Sequence, residues 1–152
     1  MPPDLALRKV EPGDAHAVQQ FVQRLSAWTR TERYFTPIRE LNARQLERVT
    51  RPADPRDVSL AVLAGGEIVA LGECYGGEFA VVVADAWQRL GLGGVLLRAL
   101  LAHAGDKRLP SLHGLVRERN RAMLKLVRGL GFCIARDDDP GYMRVEHALS
   151  DA

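Results

Sequence analysis

The sequence predicts an α/β (α+β) fold, a mixed β-sheet with helices on its faces. Three observations carry this. Two strand-like runs are joined by Gly65-Gly66, a two-residue hairpin signal. An apolar run, Phe79 to Val83, feeds a glycine-rich loop and then a long apolar segment of helical character. Two last strands follow a helix that Asn120 can open. The predicted order is β-α-α-β-β-β-α-β-α-β-β.

Residues 5–10 form the first strand, ended by Glu11-Pro12-Gly13. Asp14 is placed to cap a helix in which Val18, Phe21, Val22, Leu25 and Trp28 recur on one face. Residues 29–40 read as irregular. Asn42 with Gln45 resembles a capping box opening a short helix to Thr50. The segment 51–56 carries two prolines and reads as a loop. Residues 58–64, 67–75 and 78–84 are three strands, the third with a buried centre. A helix from about Gly91 to Ala104 is apolar nearly all round, and Gly105 is its expected stop. Residues 112–116 form a strand, the helix after Asn120 ends near residues 129–131, and residues 132–135 and 142–148 close the chain as a hairpin.

At 152 residues, against roughly 150 per domain, the chain is expected to be a single domain spanning residues 1–152. With 47% apolar and 26% charged residues, a disordered or collagen-like chain is excluded. The net charge of +2 arises from interspersed charges and gives no basic stripe, so no nucleic-acid partner is expected. Cys74 and Cys133 are too few for a disulfide framework and are expected to be buried thiols. No leader pattern is visible, and Arg98 interrupts the longest apolar stretch, so no membrane span and a cytoplasmic location are expected. The four histidines form no metal-ligand cluster, and no metal is expected. No Gly-x-Ser-x-Gly elbow is present.

The most informative segment runs from Val81 to Gly94. A strand, a loop bearing Gly91, Gly93 and Gly94, and a helix start together offer unpaired N–H groups at the positive end of a helix dipole. Such a site suits a phosphate or pyrophosphate, with Arg89 adding charge. The alternative is that these glycines only permit close strand–helix packing. A Walker loop is excluded because Val95-Leu96 stands where Lys-Ser/Thr belongs. A dinucleotide fingerprint is excluded because Leu96 occupies its third glycine position.

Gln88-Arg-Leu-Gly-Leu-Gly93 resembles the pyrophosphate loop of the GNAT superfamily of acyl-CoA-dependent N-acyltransferases, and the segment from Asn120 to Phe132 resembles that family's asparagine-opened helix ending in Gly-Phe. The resemblance covers roughly residues 58–148. It implies a mixed, mostly antiparallel sheet of six to seven strands flanked by about four helices. Arg33-Tyr-Phe-Thr-Pro37, Arg39-Glu-Leu41 and Glu78 to Val83 further resemble the catalytic domain of bacterial Pat-type protein-lysine acetyltransferases. That domain is often fused to a ligase-like or nucleotide-sensing domain, for which 152 residues leave no room.

The resemblance implies acetyl-CoA as co-substrate and a primary amine, from a protein lysine or a small molecule, as acceptor. It makes Glu78 the general base, with Glu73 as runner-up, and partial burial of Glu78 is expected to raise its pKa. Val81, Val82 and Val83 would offer main-chain groups to the pantetheine arm and the thioester oxygen. Gln88, Arg89, Leu90, Gly91, Leu92, Gly93 and Gly94 would hold the pyrophosphate, and Asn120 either contacts CoA or only caps its helix. Many family members carry a tyrosine as general acid seven residues after that asparagine; here the position is Val127, leaving Tyr142, Tyr75 or solvent. Trp28, Arg33, Tyr34 and Phe35 fall where the family builds its acceptor wall. A homodimer is compatible with the resemblance. The competing reading is a non-catalytic acyl-CoA-binding regulatory module with the same fold.

Overall fold

The structure, a computed structural model, describes residues 4–149. Strand β1 (Leu5–Lys9) leads through a 3-10 turn at Pro12–Asp14 into helices α1 (Ala15–Arg24), α2 (Ala27–Tyr34) and α3 (Ala43–Thr50). Strands β2 (Val58–Ala64), β3 (Glu67–Tyr75) and β4 (Glu78–Val83) follow, then a second 3-10 turn at Asp85–Trp87 and helix α4 (Leu92–Asp106). The chain closes with β5 (Ser111–Arg117), α5 (Arg121–Gly129), β6 (Cys133–Arg136) and β7 (Tyr142–Ala148). The strands form one seven-stranded sheet in the order β1-β2-β3-β4-β5-β7-β6. Every neighbouring pair is antiparallel except β4–β5.

Local chemistry explains the central hairpin. Gly65 and Gly66 have φ of 58° and 85°, the left-handed pair a tight β2–β3 turn requires. Residues on both faces of β2 and β3 are buried, because helices cover the sheet on both sides. On one side Leu92, Leu96, Leu97 and Leu100 of α4 and Val127 of α5 meet Val69, Phe79 and Val81. On the other, Val18, Phe21 and Val22 of α1 and Val49 of α3 meet Ala61, Ile68, Leu71 and Val82. Truncating a fully buried leucine such as Leu96 to alanine costs about 2–5 kcal/mol.

The structure departs from the sequence reading in five places. Helices number five among the described residues, because the first amphipathic segment breaks in two. Leu25 turns extended, and the Ser26 hydroxyl accepts the Thr29 N–H to start α2. Trp28 consequently leaves the α1 stripe and is 57% exposed. Cys133 is exposed, on a sheet-edge strand, while Cys74 is buried as expected. Helix α4 runs through Gly105 to Asp106. Asp14 precedes α1 but caps nothing there; its carboxylate is taken by Arg8 at 2.8 and 3.0 Å and by the Glu11 N–H at 2.7 Å. The capping box of Asn42 and Gln45 is present, each bond 2.8 Å.

Candidate functional site

Strands β4 and β5 touch at one register pair, Glu78 with His113, and then part. At the contact, Gly114 lies so close to β4 that a Cβ there would stand 3.0 Å from the Phe79 carbonyl oxygen. Beyond it, β5 pairs only with β7. The Ala84 N–H donates to Val69 of β3 at 2.8 Å, so strand alternation turns the main-chain N–H and C=O of Val81 and Val83 the other way, into the gap. The Val83 carbonyl accepts the Gln88 side-chain N–H at 3.0 Å. The Val81 edge opens on a cleft of about 390 Å³.

The far wall of this cleft is the start of α4. Gly91 caps the helix with φ 86° and Arg89 has φ 66°, so the loop folds through two left-handed residues before the helix begins. The first intrahelical bond comes from the Val95 N–H to Gly91, which leaves the N–H groups of Leu92, Gly93 and Gly94 free of helical partners. Packing is tight at Gly93, where a Cβ would sit 3.1 Å from the Leu126 side chain of α5. The cleft is lined by Val81, Val82, Val83, Gln88, Arg89, Gly91, Leu92, Gly93, Gly94 and Asn120. Of the loop residues expected at the donor site, Leu90 stands apart with its side chain 59% exposed. Asn120 caps α5 by accepting the Met123 N–H at 3.2 Å, and it lines the cleft as well.

A second cleft, of about 330 Å³, lies on the α1–α3 side of the same gap. Its floor is set by alternation: Glu73 and Tyr75 of β3 and Glu78 and Ala80 of β4 share one face, with Tyr75 directly opposite Glu78. Glu73 is 3% exposed and pairs with Arg33 of α2; Tyr75 donates to its other oxygen at 2.7 Å. Burial lowers the Arg33 pKa, but Glu73 together with Tyr34 and Tyr75 more than offsets this, so the net shift is upward. Burial pushes the Tyr34 hydroxyl up to about 12, and burial together with Glu73 carries Tyr75 far above its ordinary value. Glu78 is exposed at the rim, so the partial burial expected of it is not found. Val127 is wholly buried in the core.

Helix α2 roofs the junction. Its N-terminus is pinned to the end of β4 by Asp85, which accepts from the Ser26 N–H at 3.0 Å, the Ser26 hydroxyl at 2.7 Å and the Thr29 hydroxyl at 2.9 Å. Its C-cap, Phe35, sits at φ 64° and meets Tyr142 of β7 edge-on at 5.2 Å. Residues Glu32, Arg33, Val81, Asn120 and Met123 line both clefts, which therefore meet between α2 and β4. Sequence reasoning missed Glu32, which belongs to the stretch read as irregular.

The Acetyltransferase (GNAT) family model matches residues 20–132, a span that holds the β4 edge, the glycine-rich helix start and the splayed β4–β5 pair. The chain belongs to the GNAT acetyltransferase family. This GNAT chain is 31% identical over 154 residues to Acetyltransferase PA5475 of Pseudomonas aeruginosa, covering 95% of this chain and 82% of that protein. Its fold superposes on the GNAT domain of S. lividans PAT with a TM-score of 0.87 at 26% identity, covering 94% and 89% of the two chains. It also superposes on yncA of Salmonella typhimurium, solved with its cofactor acetyl-CoA, with a TM-score of 0.81 at 17% identity and coverage of 97% and 95%. The mixed, mostly antiparallel seven-stranded sheet agrees with the expected fold. No helix among the described residues is long and apolar enough to cross a membrane. No cluster of metal-ligating side chains occurs among them.

Proposed function

We propose that this GNAT protein transfers an acetyl group from acetyl-CoA to a primary amine, of a protein lysine or a small molecule, by direct attack within a ternary complex. The observation that carries the reading is the meeting of two clefts of opposite construction. One is bounded by free main-chain donors, the other by carboxylates.

The donor cleft fits acetyl-CoA. The free N–H groups of Leu92, Gly93 and Gly94, with the Arg89 guanidinium, suit a pyrophosphate. The main-chain groups of Val81 and Val83 suit the amides of the pantetheine arm, in the manner of an added strand, and the Val81 N–H can also donate to the thioester oxygen. Acetyl-CoA supplies the activated acyl group; the chain supplies alignment and proton handling.

On the acceptor side, a lysine-like amine with pKa near 10.4 must lose a proton, at a cost of roughly 4–5 kcal/mol at pH 7. Glu78 stands at the rim with no ion-pair partner among the described residues and takes that proton directly or through solvent. Glu73 is committed to Arg33 and Tyr75, so it shapes the floor and does not act as the base. The Tyr75 proton is engaged by Glu73, Val127 lies in the core and Tyr142 lines neither cleft, so the departing thiolate leaves with solvent assistance.

Burial of Val127 also favours a second reading, an acyl-CoA-binding module without turnover. One experiment separates the two. The protein is mixed with acetyl-CoA and a panel of lysine peptides and small amines, and free thiol is followed. Amine-dependent thiol release supports transfer. Calorimetric binding of acetyl-CoA with no release for any amine supports the binding module.

A further inference from the structure

Resting on the N-acetyltransfer reading, we propose that Glu32 holds the attacking amine, its Oε2 accepting a hydrogen bond from the amine nitrogen at the junction of the two clefts. Glu32 lines both clefts, and its side chain is 8% exposed. Its two oxygens differ. Oε1 receives the Arg119 Nε–H at 3.1 Å and lies 4.0 Å from Arg117 Nη1. Oε2 is buried and has no hydrogen-bond partner.

The carboxylate cannot simply rotate to satisfy both oxygens, because Arg119 is fixed from a second side. Its guanidinium lies 4.6 Å from the centre of the Trp28 ring, one helical turn before Glu32 on the same face of α2. This accounts for Trp28 standing exposed: it holds the arginine that holds Glu32. A buried acceptor without a donor is costly, and it persists where a ligand supplies the missing partner. Two other buried polar atoms lack partners, Arg33 Nε and the Tyr34 hydroxyl, but the first can only donate and Tyr34 lines the second cleft alone; the Glu73 carboxylate is engaged by Arg33 and Tyr75. Oε2 is thus the free acceptor where the amine meets the thioester.

The roles of the two carboxylates then separate. The amine nitrogen bonds to the thioester carbon, the carbon–sulfur bond breaks, and the thiolate departs with its electron pair. The ammonium gives its first proton to Glu78 before attack, and the second, released from nitrogen as the amide forms, passes through solvent to the thiolate. Glu32, held through Oε1 by Arg119 at 3.1 Å, orients one of the remaining N–H bonds so that the lone pair faces the carbon.

Glu32→Gln tests this. Arg119 retains the amide oxygen, which turns the NH₂ toward the junction and sets donor against donor. The expected result is a fall of at least tenfold in kcat/KM for the amine, with acetyl-CoA affinity by calorimetry within twofold of wild type. The acid limb of the pH–rate profile stays, because Glu78 still accepts the proton. Unchanged kcat/KM overturns the proposal. So does a parallel loss of acetyl-CoA affinity, which would assign Oε2 to the pantetheine arm or to packing, and so does loss of the pH limb, which would make Glu32 the base. Arg119→Met provides a second route: it frees Oε1, and the loss should be smaller than for Glu32→Gln; a larger loss overturns the proposal. Absence of turnover in the wild-type protein removes the N-acetyltransfer reading and this proposal together. Turnover in wild type with an unaffected Glu32→Gln variant removes this proposal alone.

Discussion

The two clefts flank one strand yet are made of different material. The donor cleft is built from backbone: the edge of β4 at Val81 and the Val83 N–H, with the Val83 carbonyl held by Gln88, and the unpaired N–H groups at the head of α4. The acceptor cleft is built from side chains drawn from α2, β3 and β4, tied into a buried network by Glu73, Arg33 and Tyr75. Backbone donors tolerate many side chains, so the donor half should withstand point changes that leave the loop conformation intact. The acceptor half depends on individual carboxylates and guanidinia, so single substitutions there should act sharply.

The largest effect expected is on turnover. Glu78→Gln removes the proton acceptor and should lower kcat by about 100-fold or more, read as thiol release with a saturating amine. Next comes stability. Glu73→Leu leaves the Arg33 guanidinium buried without its partner and should cost about 3–5 kcal/mol in denaturant unfolding; removing both partners with Arg33→Leu as well should recover much of the loss. If the single variant loses nothing, the acceptor network is not what anchors α2.

On the donor side, Arg89→Gly removes the one charged side chain of the loop while suiting its φ of 66°. Acetyl-CoA affinity should fall about tenfold, or about 1.4 kcal/mol, with stability kept. An unchanged affinity would mean that the main chain alone carries the pyrophosphate.

The smallest effect is a pH dependence of the α2 anchor. Burial by itself would raise the Asp85 pKa, but hydrogen bonds from Ser26 and Thr29 outweigh it and hold the carboxyl below its ordinary value. A lowered folded-state pKa gives stability that is present above the unfolded value, about 3.9, and lost as pH falls through the folded one. Thermal unfolding between about pH 6 and about pH 3 should decline less steeply in Asp85→Asn than in wild type. Equal slopes would remove Asp85 as an acid-labile pin.

The same contrast explains what could be read in the sequence. The donor half is contiguous: strand, glycine loop and helix lie within residues 78–104, and their periodicity and glycines are local signals, so β4, the loop and α4 were legible nearly to the residue. The order of strands and the Asn120 cap were legible for the same reason. The acceptor half is assembled from segments 40 residues apart, as in the Arg33–Glu73 pair. Helix α2 carries Thr29, Thr31 and Tyr34, poor helix formers, and is held by Asp85, 59 residues from Ser26, so the Ser26 cap was its one local signal and a weak one. The spacing of Trp28 fits the α1 stripe, whereas the break at Leu25–Ser26 turns it toward Arg119. Glu78 was legible as a strand-start carboxylate, but its exposure was not, since it follows from the turn at Gly76-Gly77.

The separation of a main-chain donor site from a carboxylate acceptor site is tested most directly by titrating acetyl-CoA into Glu78→Gln in a calorimeter. The expected Kd lies within about twofold of wild type in a protein whose turnover has collapsed, since Glu78 does not line the cleft of the helix start and the Val81–Val83 edge. A Kd that weakens in step with turnover would contradict it.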